Sequence, residues 1–187
     1  RAHVGFVAQE PRLFRGSLRE NILLGRPHAL AESLPEVLRL TGLDKMAAAH
    51  PLGLDMPVGE GGNMLSGGQR QLVALARCLV TQPQVLLMDE PTSSMDAQTE
   101  QQFIHQLKGV VTDRTLVVVT HRPALLDLVD RIVVMDGGKV IVDGPKMKVL
   151  AALASQRPAQ RNVPGAAEVA GTVGAPMPSA TALNVVA

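Results

Sequence analysis

The stretch Leu65-Ser66-Gly67-Gly68-Gln69-Arg70-Gln71, followed by Val85-Leu86-Leu87-Met88-Asp89-Glu90, decides how this chain of 187 residues is read. The first piece opens a helix. From Gly67 to about Val80, Leu72, Leu75, Ala76 and Leu79 fall at helical spacing. The second is a continuous apolar run, as in a parallel strand covered on both faces, and it delivers two carboxylates at its end.

Working outward, Val4–Ala8 reads as a short buried strand ending at Gln9. Ser17 and Glu20 form a capping box, which starts a helix running to about Gly25. Ser33-Leu34-Pro35-Glu36 repeats the device, with an apolar stripe of Leu34, Val37, Leu38 and Leu40 and a stop at Gly42. Downstream, Asp96 caps a helix carrying Phe103, Ile104 and Leu107 that ends at Gly109. Thr115–Thr120 is a second buried strand, and a helix over Ala124–Val129 follows. Arg131–Met135 and Lys139–Val142 read as strands joined by a hairpin turn at Asp136-Gly137-Gly138. Strands alternating with helices predict an α/β fold with a mostly parallel sheet, the last two strands adding antiparallel at its edge. Residues 157–187 lose periodicity, and Pro158, Pro164, Pro176 and Pro178 interrupt any helix. This segment is expected to be a disordered tail.

Composition narrows the function. Eighteen basic and 17 acidic residues give a net charge of +1, which offers no footprint for nucleic acid. Three Phe and no Trp or Tyr leave few platforms on which bases could stack. The lone Cys78 excludes an internal disulfide and fits a reducing compartment; its apolar neighbours mark it as a packed thiol. No apolar run reaches the roughly 18–20 residues of a membrane span. The histidines His3, His28, His50 and His105 show no metal-ligand spacing.

Two places carry chemistry. The first N–H groups of a helix lack internal partners and its dipole favours an anion, so Ser66-Gly67-Gly68-Gln69 can hold a phosphate, glycine permitting close approach. An ordinary serine cap followed by two glycines is the bland alternative. Asp89 and Glu90 stand where a buried strand reaches the sheet edge, the usual ligand position in open α/β folds. One carboxylate there can hold Mg²⁺ through water and the next can activate an attacking water. Two solvated acids at a strand end are the alternative. No G-x-x-x-x-G-K-[ST] loop occurs between Arg1 and Ala187.

Taken together and in this order, these motifs resemble the signature and Walker B motifs of an ATP-binding cassette (ABC) ATPase. Pro91-Thr92-Ser93-Ser94-Met95-Asp96 resembles its D-loop, with Ser94-Met95 where Ala-Leu is usual. The resemblance covers about Val4–Leu153. It implies a P-loop NTPase-like (RecA-like) core over about 1–9 and 81–156, an inserted helical subdomain over about 15–80, and a Walker A loop upstream of residue 1. It assigns Gln9 to the Q-loop, as a ligand reaching Mg²⁺ and the lytic water, Asp89 to Mg²⁺, Glu90 to water activation and His121 to the γ-phosphate. Ser66, Gly67, Gly68, Gln69 and Asp96 go to the nucleotide. The implied cofactors are ATP and Mg²⁺. The implied partners are a second cassette, closing head-to-tail over two ATP molecules, and transmembrane domains, at the cytoplasmic face of a bacterial inner membrane. Pro57-Val58-Gly59-Glu60 and Gln9–Phe14 are similar to exporter-type cassettes, and the stretch from His121-Arg122-Pro123 to Asp143-Gly144-Pro145 to type I secretion ATPases. The competing classes are a soluble ABC ATPase of DNA repair or translation and a non-catalytic cassette. Near-neutral charge counts against the first, and Glu90 with His121 against the second. By the same resemblance the fragment alone is expected to hydrolyse little ATP.

Overall fold

A parallel array forms because alternate residues of successive strands share one apolar face. The structure, a computed structural model, describes residues 3–24 and 33–156 and the backbone of 184–186. Strand β1 (Val4–Val7) pairs in parallel with β2 (Val85–Asp89), and β2 with β3 (Thr115–Thr120). Val7 aligns with Met88 and Met88 with Val118, and all three are buried. β4 (Arg131–Asp136) and β5 (Lys139–Pro145) form the expected hairpin, turned by Gly137 and Gly138 at φ +52° and +76°. The sheet order is β1-β2-β3-β6-β4-β5, where β6 is Asn184–Val186. The predicted parallel sheet with an antiparallel edge is therefore present.

Helix α4 (Gly67–Leu79) covers β1 and joins the sheet to the helical part. It packs on α1 (Leu18–Ile22), α2 (Leu34–Thr41) and α5 (Ala97–Val111); α3 (Leu43–Ala48) packs on α2. One continuous core runs from Leu18 and Leu43 through Leu75 and Leu79 to Leu86, Phe103 and Leu107. Removing such fully buried side chains costs about 2–5 kcal/mol each. The polar contacts agree with this junction. Asn21, buried in α1, accepts from the Phe14 N–H and donates to the Phe14 and Ser17 carbonyls, all within 3.0 Å. Arg77 of α4 donates to the Asn21 and Arg12 carbonyls at 2.8 and 3.0 Å. Burial pushes its pKa below the ordinary guanidinium value, and these carbonyls receive the charge.

Several local expectations shift. The Ser17–Glu20 capping box is formed in both directions. Ser33 already has helical φ and ψ (−85°, −19°), so it begins α2 as a helical residue, with no cap bond from its side chain. Gly109 does not end α5. The helix continues to Val111 because Val110 is completely buried, and that burial outweighs glycine's helix penalty of about 1 kcal/mol. Ala124–Val129 is a 3₁₀ stretch, Pro123–Leu128, instead of an α-helix. Two helices not foreseen, α3 and α6 (Lys146–Gln156), are short or weakly amphipathic. The first predicted helix, expected to run to about Gly25, already ends at Ile22, with Leu23 as its C-cap. Most of the tail expected to be disordered lies outside the described residues. At 184–186 the backbone is a strand of the sheet, unlike the unstructured tail expected there.

Candidate functional site

The site begins where β2 and β3 end side by side. Asp89, the last residue of β2, aligns with Val119 and is half-buried. Glu90 then takes φ +43°, a left-handed conformation rare for any residue but glycine. It is held there on both sides: its N–H donates to the Val119 carbonyl at 2.8 Å and its carbonyl accepts from the Ser93 N–H at 3.1 Å. A residue in that region costs about 1–2 kcal/mol, so the surrounding bonds must over-determine it. The turn brings the Glu90 carboxylate 2.7 Å from Nδ1 of His121, the first residue after β3. Glu90 is largely buried, with its side chain 13% exposed, whereas His121 is open at 56%. A carboxylate and an imidazole so paired can orient a proton-bearing ligand between strand end and solvent.

A second network fixes the loop after Glu90. Thr92 donates to Glu100 at 2.7 Å, and Arg122 lies 3.6 Å from the same carboxylate. Arg122 also donates to the Ser93 carbonyl at 3.2 Å. The residue after His121 is thus tied to the loop of Glu90 through a carboxylate on α5. Sequence reasoning missed Glu100, although a signal was present: it sits at the core spacing of Phe103, Ile104 and Leu107, where a charge requires partners.

At the start of α4, Ser66 and Gln69 cap one another. The Ser66 Oγ accepts from the Gln69 N–H at 3.2 Å and the Gln69 Oε1 accepts from the Ser66 N–H at 2.9 Å. The two glycines have a packing role as well. A Cβ on Gly67 would meet the Ser94 carbonyl oxygen at 2.9 Å, and one on Gly68 would meet Thr99 Cγ2 at 2.4 Å. The helix start therefore lies directly against the 94–99 segment, where Asp96 caps α5. Gly68→Ala is expected to destabilise by about 1–3 kcal/mol, as overpacking does. Gly109→Ala, with open space around it, should instead stabilise by about 0.5–1 kcal/mol. Denaturant melts of the two variants check the contrast; equal effects would remove the close-approach argument.

Asp96 is fully exposed, and its carboxyl is held below the usual range by hydrogen bonds from the Thr99 N–H (2.9 Å) and hydroxyl (3.0 Å). A lowered folded pKa means that this contribution is complete above the unfolded value of about 4 and drains away as pH falls through the lower folded value. The melting temperature of Asp96→Asn should thus change less than wild type on acidification below about pH 4. An identical pH profile would mean that the cap bonds do not discriminate the charged form.

Gln9 is exposed after β1. Its backbone carbonyl accepts from Gln71 of α4 at 2.7 Å, and Gln71 also reaches the Ala8 carbonyl at 3.3 Å. Gln71 closes the motif stretch at the start of α4, and its buried side chain ties that stretch to the end of β1, a contact the motif alone does not state. An open cleft of about 620 Å³ brings Gln9 together with Gly67, Arg70 and Ser94. Two clusters result: Glu90 with His121 beside Asp89, and Gln9 with the α4 start. Among the described residues no three His, Cys, Asp or Glu side chains form a metal cage. A lone half-buried Asp89 suits Mg²⁺, which keeps most of its waters and shares its remaining ligands with phosphates.

Comparison with known proteins agrees with the motifs. The sequence profile of the ABC transporter family matches residues 1–93. The chain is 43% identical over 152 residues to the mycobactin import ATP-binding/permease protein IrtB of Mycolicibacterium smegmatis, covering 81% of this chain and 26% of that protein. It is 40% identical over 152 residues to the cyclolysin secretion/processing ATP-binding protein CyaB of Bordetella pertussis (81% and 21%). It is 40% identical over 144 residues to the ATP-dependent lipid A-core flippase of Neisseria gonorrhoeae (77% and 23%). Among solved structures it is similar to a bacterial Atm1-family ABC exporter with ATP bound, with a TM-score of 0.73, 35% identity, and coverage of 81% of this chain and 27% of that one. The chain thus spans about a quarter of the length of these relatives.

Proposed function

Because the chain belongs to the ABC transporter family, we propose that it forms the C-terminal part of an ATP-binding cassette that powers export across a membrane. The observation that carries the reading is the 2.7 Å Glu90–His121 pair at the end of two parallel strands, next to Asp89. In this reading Glu90 accepts a proton from the attacking water. His121 orients Glu90 and faces the terminal phosphate. Gln9 follows the end of β1, the strand next to β2, in the cleft it shares with Gly67 and Ser94. A magnesium ion bound by Asp89 and the phosphates would supply charge neutralisation at the β–γ bond. The exposed Ser66 and the α4 N–H groups would serve the nucleotide of a second cassette, because they stand at the open N-terminus of the helix.

Membrane domains would be the coupled partner. No helix among the described residues is long and apolar enough to cross a membrane. One relative is named for import and others for secretion or lipid flipping, so direction is the finer question. The test is ATP-dependent transport by the intact protein in inside-out and right-side-out vesicles. Accumulation in inside-out vesicles supports export, uptake only in right-side-out vesicles would replace it with import, and ATPase without transport in either would favour a soluble ATPase.

A further inference from the structure

Gln71 occupies an apolar place in α4 without being apolar. With Leu75 and Leu79 it shares one face of the helix at four-residue spacing, and the three are sealed from solvent, at 1%, 0% and 1% exposure. A buried amide costs free energy unless its atoms are paired. Here its two ends differ. Nε2 donates to two successive carbonyls, those of Ala8 at 3.3 Å and Gln9 at 2.7 Å. Oε1 has no hydrogen-bond partner among the described residues. The side chain works as a donor, and what it grips is main chain. Its target is the segment that leaves β1. Residues 8–14 form neither helix nor strand, so their carbonyls need partners from elsewhere. α4 supplies them at two levels, Gln71 for Ala8 and Gln9, and Arg77 for Arg12 at 3.0 Å. The Gln9 side chain, by contrast, is exposed in the cleft that it shares with Gly67 and Ser94.

We propose that Gln71 is the positioning residue of Gln9. It holds the Gln9 carbonyl against α4, and so fixes where the Gln9 side chain stands in the cleft without touching substrate itself. An exposed side chain on an irregular segment has no packing of its own to orient it, so its main chain must be held. The same helix begins at Ser66. One rigid element thus places Gln9 and presents Ser66, two groups that the proposed site gives to different nucleotides. The inference rests on the reading of Gln9 as a group at the reacting phosphate.

The test is a double-mutant cycle on ATP turnover by the intact protein. Gln71→Met keeps the length of the side chain and removes the donor. It is expected to lower kcat about tenfold, with the KM for ATP within about twofold of wild type. Gln9→Ala should lower kcat by itself. Gln71→Met added to Gln9→Ala should then cost less than about twofold more, because the group it positions is already gone. Gln71→Glu, equal in size and with acceptors in place of the donor, completes the same cycle where methionine disturbs folding. Unchanged kcat in Gln71→Met, or the same loss again in the Gln9→Ala background, would overturn the proposal and leave the role of Gln9 standing. Normal turnover in Gln9→Ala would remove that role and the proposal together. Failure of both substitutions at Gln71 to reach the native fold would make this residue part of the scaffold only, which also overturns it.

Discussion

Replacing Glu90 by Gln in the intact protein is expected to lower steady-state ATP turnover by about 10²-fold or more while ATP still binds. The amide preserves the shape and can still accept from His121, but it no longer takes a proton from water. The left-handed backbone at Glu90 is held by main-chain bonds to Val119 and Ser93, which a side-chain change leaves in place, so the fold should survive. The loss should therefore appear in kcat and not in ATP affinity, and nucleotide should accumulate unhydrolysed in the closed dimer. Two companion measurements sharpen this. His121→Ala removes the 2.7 Å partner and should also lower turnover, with Glu90 left less well oriented. Glu100→Gln alters the Thr92–Glu100–Arg122 network without touching the pair and should act first on stability. Near-normal turnover in Glu90→Gln would assign water activation to another group.

How much of this was legible in the sequence differs by element. The strands β2 and β3 and the start of α4 were readable because apolar runs and a serine followed by Gln at the third position state their own geometry. The Glu90–His121 contact was not. It joins residues 31 positions apart and depends on the positive φ of Glu90, which no local pattern announces. Gly67 and Gly68 were read as allowing phosphate approach, whereas the structure also gives them a steric reason, Ser94 and Thr99 lying where a side chain would stand. Gln71 and Glu100 are buried polar residues, and their roles were not legible because their partners lie on other elements, the end of β1 and the loop after β2. β6 was invisible because three residues carry no period, and its pairing is decided by two edges far away in sequence, Val119–Thr120 and Val133–Met135.

Ser66→Arg should abolish turnover of the intact dimer while each cassette keeps its own ATP affinity. Ser66 is exposed at the start of α4, pointing the helix N-terminus outward, and an arginine there places a bulky cation where a second cassette's phosphates would dock. The substitution also removes a cap, since the Ser66 Oγ accepts from the Gln69 N–H. That loss alone costs about 1 kcal/mol of stability. Ser66→Ala separates the two effects: it loses the cap without adding bulk, so it should melt lower yet retain a substantial part of the turnover. Ser66→Arg should melt similarly to Ser66→Ala and be inactive. The decisive species is the mixed dimer with one Ser66→Arg subunit. If Ser66 serves the partner's nucleotide, one of the two sites is lost and the other remains formed, so nucleotide trapping falls to about one per dimer instead of two. If the arginine subunit instead loses its own ATP binding as an isolated cassette, Ser66 acts within its own chain and the shared site is wrong.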